Sequence, residues 1–120
     1  MKVELVRTFR FEAAHALPNA PEGHKCRRVH GHNYRVDVHV YGEVDPTTGW
    51  LIDFGEVKKV VDPLIERLDH RYLNDVEGLE NVTSELLAKW LWDRLRDVLP
   101  PLSAVAVWES DASRCIYRGQ

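Results

Sequence analysis

His30-Gly31-His32-Asn33-Tyr34-Arg35-Val36-Asp37-Val38-His39-Val40-Tyr41 alternates without a break, and the fold is read from that alternation. His30, His32, Tyr34, Val36, Val38 and Val40 share one face; Asn33, Arg35, Asp37, His39 and Tyr41 share the other. Period two predicts a half-buried β-strand. Its apolar face begins with two imidazoles about 6.5 Å apart at the rise of a strand, a workable bite for one metal ion. Imidazoles on a buried face need partners, and a metal is an economical one.

Upstream, residues 3–15 alternate in the same way. Val3, Leu5, Phe9 and Phe11 oppose Glu4, Thr8, Arg10 and Glu12, and His15 has the parity of the apolar face. Three histidines with an open fourth position describe a catalytic metal site more than a structural one. Zinc is the expected ion, because neutral imidazoles suit it and no cluster of soft ligands is present. His24 and His39 fit no such pattern and read as surface residues.

Outward from these strands the chain punctuates itself. Residues 16–29, with Pro18, Pro21 and Gly23, read as a loop; Gly42 to Gly49 is a turn, and Trp50 to Ile52 a short extended piece. Asp53 and Glu56 resemble a capping box. Val57, Val60, Val61, Leu64, Ile65 and Leu68 then follow helical spacing. Pro63 is expected to kink or divide that helix, since it removes a hydrogen bond. After a loop from Asp69 to Val82, Thr83 can cap a second helix. Leu87, Trp90, Leu91, Leu95 and Val98 form its buried stripe, and Pro100-Pro101 ends it. Residues 102–110 alternate again, Asp111 to Arg114 is a turn, and Cys115 to Arg118 is a last short strand. The order ββααββ predicts an α+β fold, a four-stranded antiparallel sheet with two helices on one face, in one domain spanning residues 1–120.

Composition narrows the function. The 120 residues are 44% hydrophobic and 29% charged, values of a soluble globular protein. A net charge of −3 argues against broad binding to nucleic acid, so any anion must meet a local basic patch. Met1 to Arg7 lack the apolar run of a signal peptide, and no stretch has the length of a membrane span. Cys26 and Cys115 make no disulfide framework, which fits a reducing cytoplasm.

Four further groups carry chemistry. Cys26 stands four residues before His30. It reads as a fourth metal ligand closing the site, as a free thiolate acting as base or nucleophile, or as an idle loop cysteine. Lys25, Arg27 and Arg28 surround it, and neighbouring cations favour a thiolate. The same three cations could hold a phosphorylated ligand or form an ordinary solvated loop. Asp69 and His70 could form a proton relay, but adjacent residues share a direction only in a loop; alone, the pair reads as a solvated helix end. Glu109, amid Val105, Val107 and Trp108, is either a strand-end residue in water or a carboxylate awaiting a ligand with two parallel N–H donors.

Phe11-Glu12-Ala13-Ala14-His15, Cys26 through His32, Gly49-Trp50-Leu51-Ile52-Asp53-Phe54, Leu68-Asp69-His70, Leu73-Asn74, Asn81-Val82-Thr83-Ser84-Glu85 and the strand ending in Glu109 together resemble the 6-pyruvoyl-tetrahydropterin synthase family over nearly the whole chain. The short spacing from Cys26 to His30 is similar to that of the branch that forms 6-carboxy-tetrahydropterin for queuosine biosynthesis. The resemblance implies that His15, His30 and His32 bind zinc, that Cys26 abstracts a proton, that Asp69 and His70 form the relay, and that Glu109 anchors a pterin ring. It implies the tunnelling fold, with small sheets from several chains joined into a barrel. It also implies a homohexamer of two stacked trimers, with sites at subunit boundaries, so that Glu109 would meet a Cys26 from another chain. The substrate it implies is 7,8-dihydroneopterin triphosphate. Two rivals remain open: a sibling enzyme that stops at 6-pyruvoyl-tetrahydropterin, and a non-catalytic domain with a closed Cys-His-His-His zinc.

Overall fold

The computed structural model describes residues 1–120. The two long alternating runs form strands β1 (Lys2–His15) and β2 (His30–Glu43), followed by helices α1 (Phe54–Glu66) and α2 (Ser84–Leu95) and strands β3 (Leu102–Ser110) and β4 (Ser113–Tyr117). The sheet is antiparallel throughout, in the order β1-β2-β3-β4. One face packs against the helices. Phe9, Phe11, Tyr34, Val36, Val38, Val105 and Val107 meet Val57, Val61, Leu87 and Leu91 there in a single core. No helix is long and apolar enough to cross a membrane.

Asp53 and Thr83 cap the helices, though Asp53 does so without the reciprocal Glu56 bond of a capping box. The Asp53 side chain accepts from the Gly55 N–H at 2.9 Å, and Thr83 Oγ1 accepts from the Leu86 N–H at 3.1 Å. Pro63 does not divide α1, which runs on to Glu66. Pro63 is exposed, and the carbonyl it deprives belongs to exposed Lys59. The interior penalty of about 3 kcal/mol is matched by burying Val61 and Leu68, roughly 1.5–3 kcal/mol each.

Four other expectations are corrected. Helix α2 ends at Leu95, so Val98 leaves the stripe and is 56% exposed, while Leu99 enters the core instead. Trp50 to Ile52 forms bends, with no strand. The turn before β4 is shorter than expected, and β4 begins at Ser113. The loops are partly ordered into 3₁₀ turns at Lys25–Arg27 and Leu73–Asp75.

The helix-free face holds one buried acid. Asp37 Oδ1 accepts from Thr8 Oγ1 at 2.7 Å and Arg35 Nε at 3.0 Å, and Oδ2 accepts from Arg35 Nη2 at 3.0 Å and Trp108 Nε1 at 2.9 Å. Burial alone would raise its pKa; the donors outweigh burial and hold the carboxyl below the usual carboxylate range. The unfolded chain therefore takes up this proton at higher pH than the folded one. Stability from Asp37 is present above the unfolded value, about 3.9, and is lost as the pH falls through the lower folded value. Asp37→Asn is expected to cost about 1.5–3 kcal/mol at pH 7 and to flatten the loss of stability below pH 4. Urea midpoints of both proteins from pH 7 to pH 3 check this; parallel curves would refute it.

Candidate metal centre and proton relay

Strand register builds the centre. His15 ends β1 and His30 begins β2 directly opposite it, while Ala13 faces His32. Because all three histidines have the parity of the core face, their rings converge where the two strands begin to part. Ring centroids lie 4.5 Å apart for His15 and His30, and 5.0 Å apart for each of the other two pairs. The candidate ligand nitrogens all lie within 4.8 Å of one another.

The rings are held from behind. His15 Nδ1 lies 2.9 Å from the Val82 carbonyl, and His30 Nδ1 lies 2.7 Å from the Arg28 carbonyl. A carbonyl only accepts, so each Nδ1 carries the proton and each Nε2 turns a lone pair inward, the arrangement a metal ligand needs. Tyr34 places its hydroxyl 3.2 Å from His15 Nδ1. His15 is fully buried. Burial, aided by the other two imidazoles, pushes its pKa down against the pull of Val82 and Glu109. Burial likewise lowers that of His32, again against Glu109. Burial, with Glu109 second, raises the Tyr34 phenol. His32 Nε2 lies 3.1 Å from His15 Nε2, and three imidazole nitrogens gathered in this way fit zinc by donor type.

Glu109, on β3, extends its carboxylate to 3.8 Å from His32 Nε2. It also lines a neighbouring cleft of about 380 Å³ with Ser84, Glu85, Ser113, Arg114 and Cys115. It is half-buried rather than a strand-end residue in open water, and within its own chain its carboxylate faces His32.

Cys26 stands apart from the group of converging nitrogens. It is half-buried in the 3₁₀ turn, and both its backbone groups are tied. Its N–H donates to His24 Nδ1 at 3.1 Å, and its carbonyl accepts from the Leu17 N–H at 2.8 Å. The second bond fastens the cysteine turn to the chain two residues beyond His15. Among the flanking cations, Arg27 Nη1 donates to the Ala20 carbonyl at 3.0 Å and so helps to close the loop, while Lys25 and Arg28 are exposed.

Asp69 and His70 do come together. His70 Nδ1 is 2.8 Å from Asp69 Oδ1. His70 is the one non-glycine residue with left-handed backbone, φ 58°, and that twist turns neighbouring side chains toward each other. The segment is clamped to the outer margin of β1. Asp69 Oδ1 accepts from the Glu12 N–H at 3.0 Å, the His70 N–H donates to the Glu12 carbonyl at 2.6 Å, and the Ala14 N–H donates to the Arg71 carbonyl at 3.1 Å. The Glu12 N–H is the leading cause that holds Asp69 below the usual carboxylate range; partial burial opposes it and His70 assists. Asn74 continues the clamp, its amide accepting from the Ala16 N–H at 2.9 Å and donating to the Ala16 carbonyl at 2.8 Å. His32, His70 and Glu12 all line one open cleft of about 640 Å³.

Several of these residues escape a reading of residue types. His24 is exposed, as read, and also caps the cysteine turn, while His39, read as surface, is half-buried, with Nδ1 3.5 Å from Glu4. Tyr34, Asn74 and the Val82 carbonyl position His15. Asn74 and Val82 each lie in a stretch that carries the family resemblance, Leu73-Asn74 and Asn81-Val82-Thr83-Ser84-Glu85, and Tyr34 lies on the apolar face of the second strand.

Comparison with known proteins gives the family. A family profile described as 6-pyruvoyl tetrahydropterin synthase matches residues 4–120. The chain is 44% identical over 119 residues to a Synechocystis protein named 6-carboxy-5,6,7,8-tetrahydropterin synthase, covering 94% of this chain and 91% of that one. It is 36% identical over 135 residues to human 6-pyruvoyl tetrahydrobiopterin synthase, covering 99% and 93%. The solved structure of Caenorhabditis elegans 6-pyruvoyl tetrahydropterin synthase superposes with a TM-score of 0.91 at 32% identity, over 100% of this chain and 97% of that one. By fold, by length and by sequence, the chain belongs to the 6-pyruvoyl tetrahydropterin synthase family and has its tunnelling fold.

Proposed function

We propose that the protein is a zinc-dependent carbon–carbon lyase. It converts 7,8-dihydroneopterin 3'-triphosphate and one water into 6-carboxy-5,6,7,8-tetrahydropterin, acetaldehyde and triphosphate, a step of queuosine biosynthesis. In this reading, residues 1–120 are one catalytic domain, working in the cytoplasm as a homohexamer of two trimers. The observation that carries the reading is the convergence of three inward-facing imidazoles with the Cys26 sulfur outside their group. It is supported by the identity to the Synechocystis carboxypterin synthase.

His15, His30 and His32 would hold the zinc, which when bound supplies a Lewis acid for the substrate's side-chain oxygens. Glu109 accepts from the ring N–H and the exocyclic amine of the pterin, one carboxylate oxygen to each. Cys26 takes a proton from the side-chain carbon. His70, oriented by Asp69, returns or removes one elsewhere. Oxidation of the side chain reduces the ring, so electrons balance within the substrate; triphosphate leaves, and a retro-aldol cleavage releases the two-carbon fragment.

In this reading the triphosphate meets Lys25, Arg27 or Arg28, the basic residues that flank Cys26. Arg27→Ala and Arg28→Ala are each expected to raise the Michaelis constant about tenfold, the effect of losing one charge-assisted hydrogen bond of roughly 1.5 kcal/mol. Unchanged steady-state constants would remove the basic loop from the substrate site.

A second reading, triphosphate elimination ending at 6-pyruvoyl-tetrahydropterin, is favoured by the identity to the human synthase. Incubating the zinc-loaded protein with the triphosphate separates the two: acetaldehyde and the carboxypterin support the lyase, whereas a pyruvoyl product without acetaldehyde refutes it.

A further inference from the structure

We propose that Glu12 is the group through which His70 exchanges its proton with water, a positioning residue of the relay that no metal or substrate role accounts for. The inference rests on the reading of His70 as a proton carrier, and the backbone and the side chain of Glu12 contribute to it differently. The backbone makes the clamp: its N–H and carbonyl hold Asp69 and His70 at 3.0 and 2.6 Å. The side chain takes no part in that. Its Oε2 lies 3.8 Å from His70 Nε2, and it makes no other ion pair.

The ring therefore lies between two carboxylates. Asp69 occupies Nδ1 at 2.8 Å, and only Nε2 is left to gain and lose a proton in each cycle. The Glu12 carboxylate faces that nitrogen, is 66% exposed to water, and lies in the cleft that His70 shares with His32. The separation is longer than a hydrogen bond, but the exposed glutamate side chain is free to turn, and catalytic contacts commonly shorten when substrate binds. The alternative, a solvent-exposed ion pair, would add little to stability and would serve no reaction. In the proposed step the Nε2–H bond breaks, an O–H bond forms on Glu12, and the proton passes on to water. The reverse path reloads the ring, and no electron moves.

Glu12→Gln keeps the size and the backbone clamp but cannot carry a proton. In the zinc-loaded enzyme this variant is expected to lower kcat about tenfold and to leave KM in place. Added formate or acetate should restore most of the lost turnover, because a diffusing acid replaces the missing carboxylate. Glu12→Asp should retain part of the activity without rescue. A wild-type kcat in Glu12→Gln overturns the proposal, and so does a loss that no added acid restores, since that marks a structural role. His70→Asn, which tolerates the left-handed backbone, separates the two levels. If it stays fully active, the reading of His70 fails and this proposal with it; if it is inactive while Glu12→Gln is normal, only this proposal fails.

Discussion

Cys26→Ala is expected to lower turnover by about 10²–10⁴-fold, the usual contribution of a positioned proton acceptor, while zinc content and melting temperature stay at wild-type values. The expectation follows from the division of labour at the cysteine turn. What holds the turn is backbone and neighbour: the Cys26 N–H on His24, the Cys26 carbonyl on Leu17, and Arg27 on Ala20. Alanine keeps both backbone groups, so the loop should close as before and lose only the sulfur. A structural Cys-His-His-His site predicts the opposite, a variant that loses metal and unfolds more easily. Metal analysis and thermal unfolding of the purified variant therefore test the structural reading without a substrate, and turnover separates a base from an idle loop cysteine. Depleted zinc in Cys26→Ala would refute the catalytic reading outright.

His15→Ala should have the largest effect on metal and fold together. His15 is fully buried, its Nδ1–H satisfies the Val82 carbonyl, and the Tyr34 hydroxyl rests against the same nitrogen. Removing the ring leaves a cavity, an unpartnered buried carbonyl and two remaining imidazoles. An unsatisfied buried acceptor costs about 1–3 kcal/mol, and deletion of a large buried side chain adds about 2–5 kcal/mol. Stoichiometric zinc should be lost, and turnover with it. His30→Ala, at the half-buried rim, should also lose metal but with a smaller change in stability. Equal urea midpoints for the two variants would contradict this ranking.

The strands were legible because period two is a direct consequence of the pleat. His15, His30 and His32 shared a parity, and that parity put them on one face. Their meeting point was not legible, since the length of the 16–29 loop does not determine that His15 stands opposite His30. The α2 stripe misled at Val98 because helical spacing continues in the sequence past Arg96, where the backbone stops following it. Asp69 and His70 read as a solvated helix end for a similar reason: their juxtaposition depends on a left-handed φ at a histidine, a conformation that residue type only weakly foretells. Glu109 was ambiguous because the alternation of β3 sets its face but not its distance from His32. The capping role of His24 was not legible because its partner is a backbone amide, which no pattern of side chains reveals.

The segment from Asp69 to Asn74 stands in for a fifth strand, but only along residues 12–16 of β1. Lateral growth of the sheet is therefore blocked at the histidine end and open toward Lys2. Any foreign strand that joins this border must stop short of Glu12, so the histidine end is shielded from misjoined partners while the opposite end stays free for them.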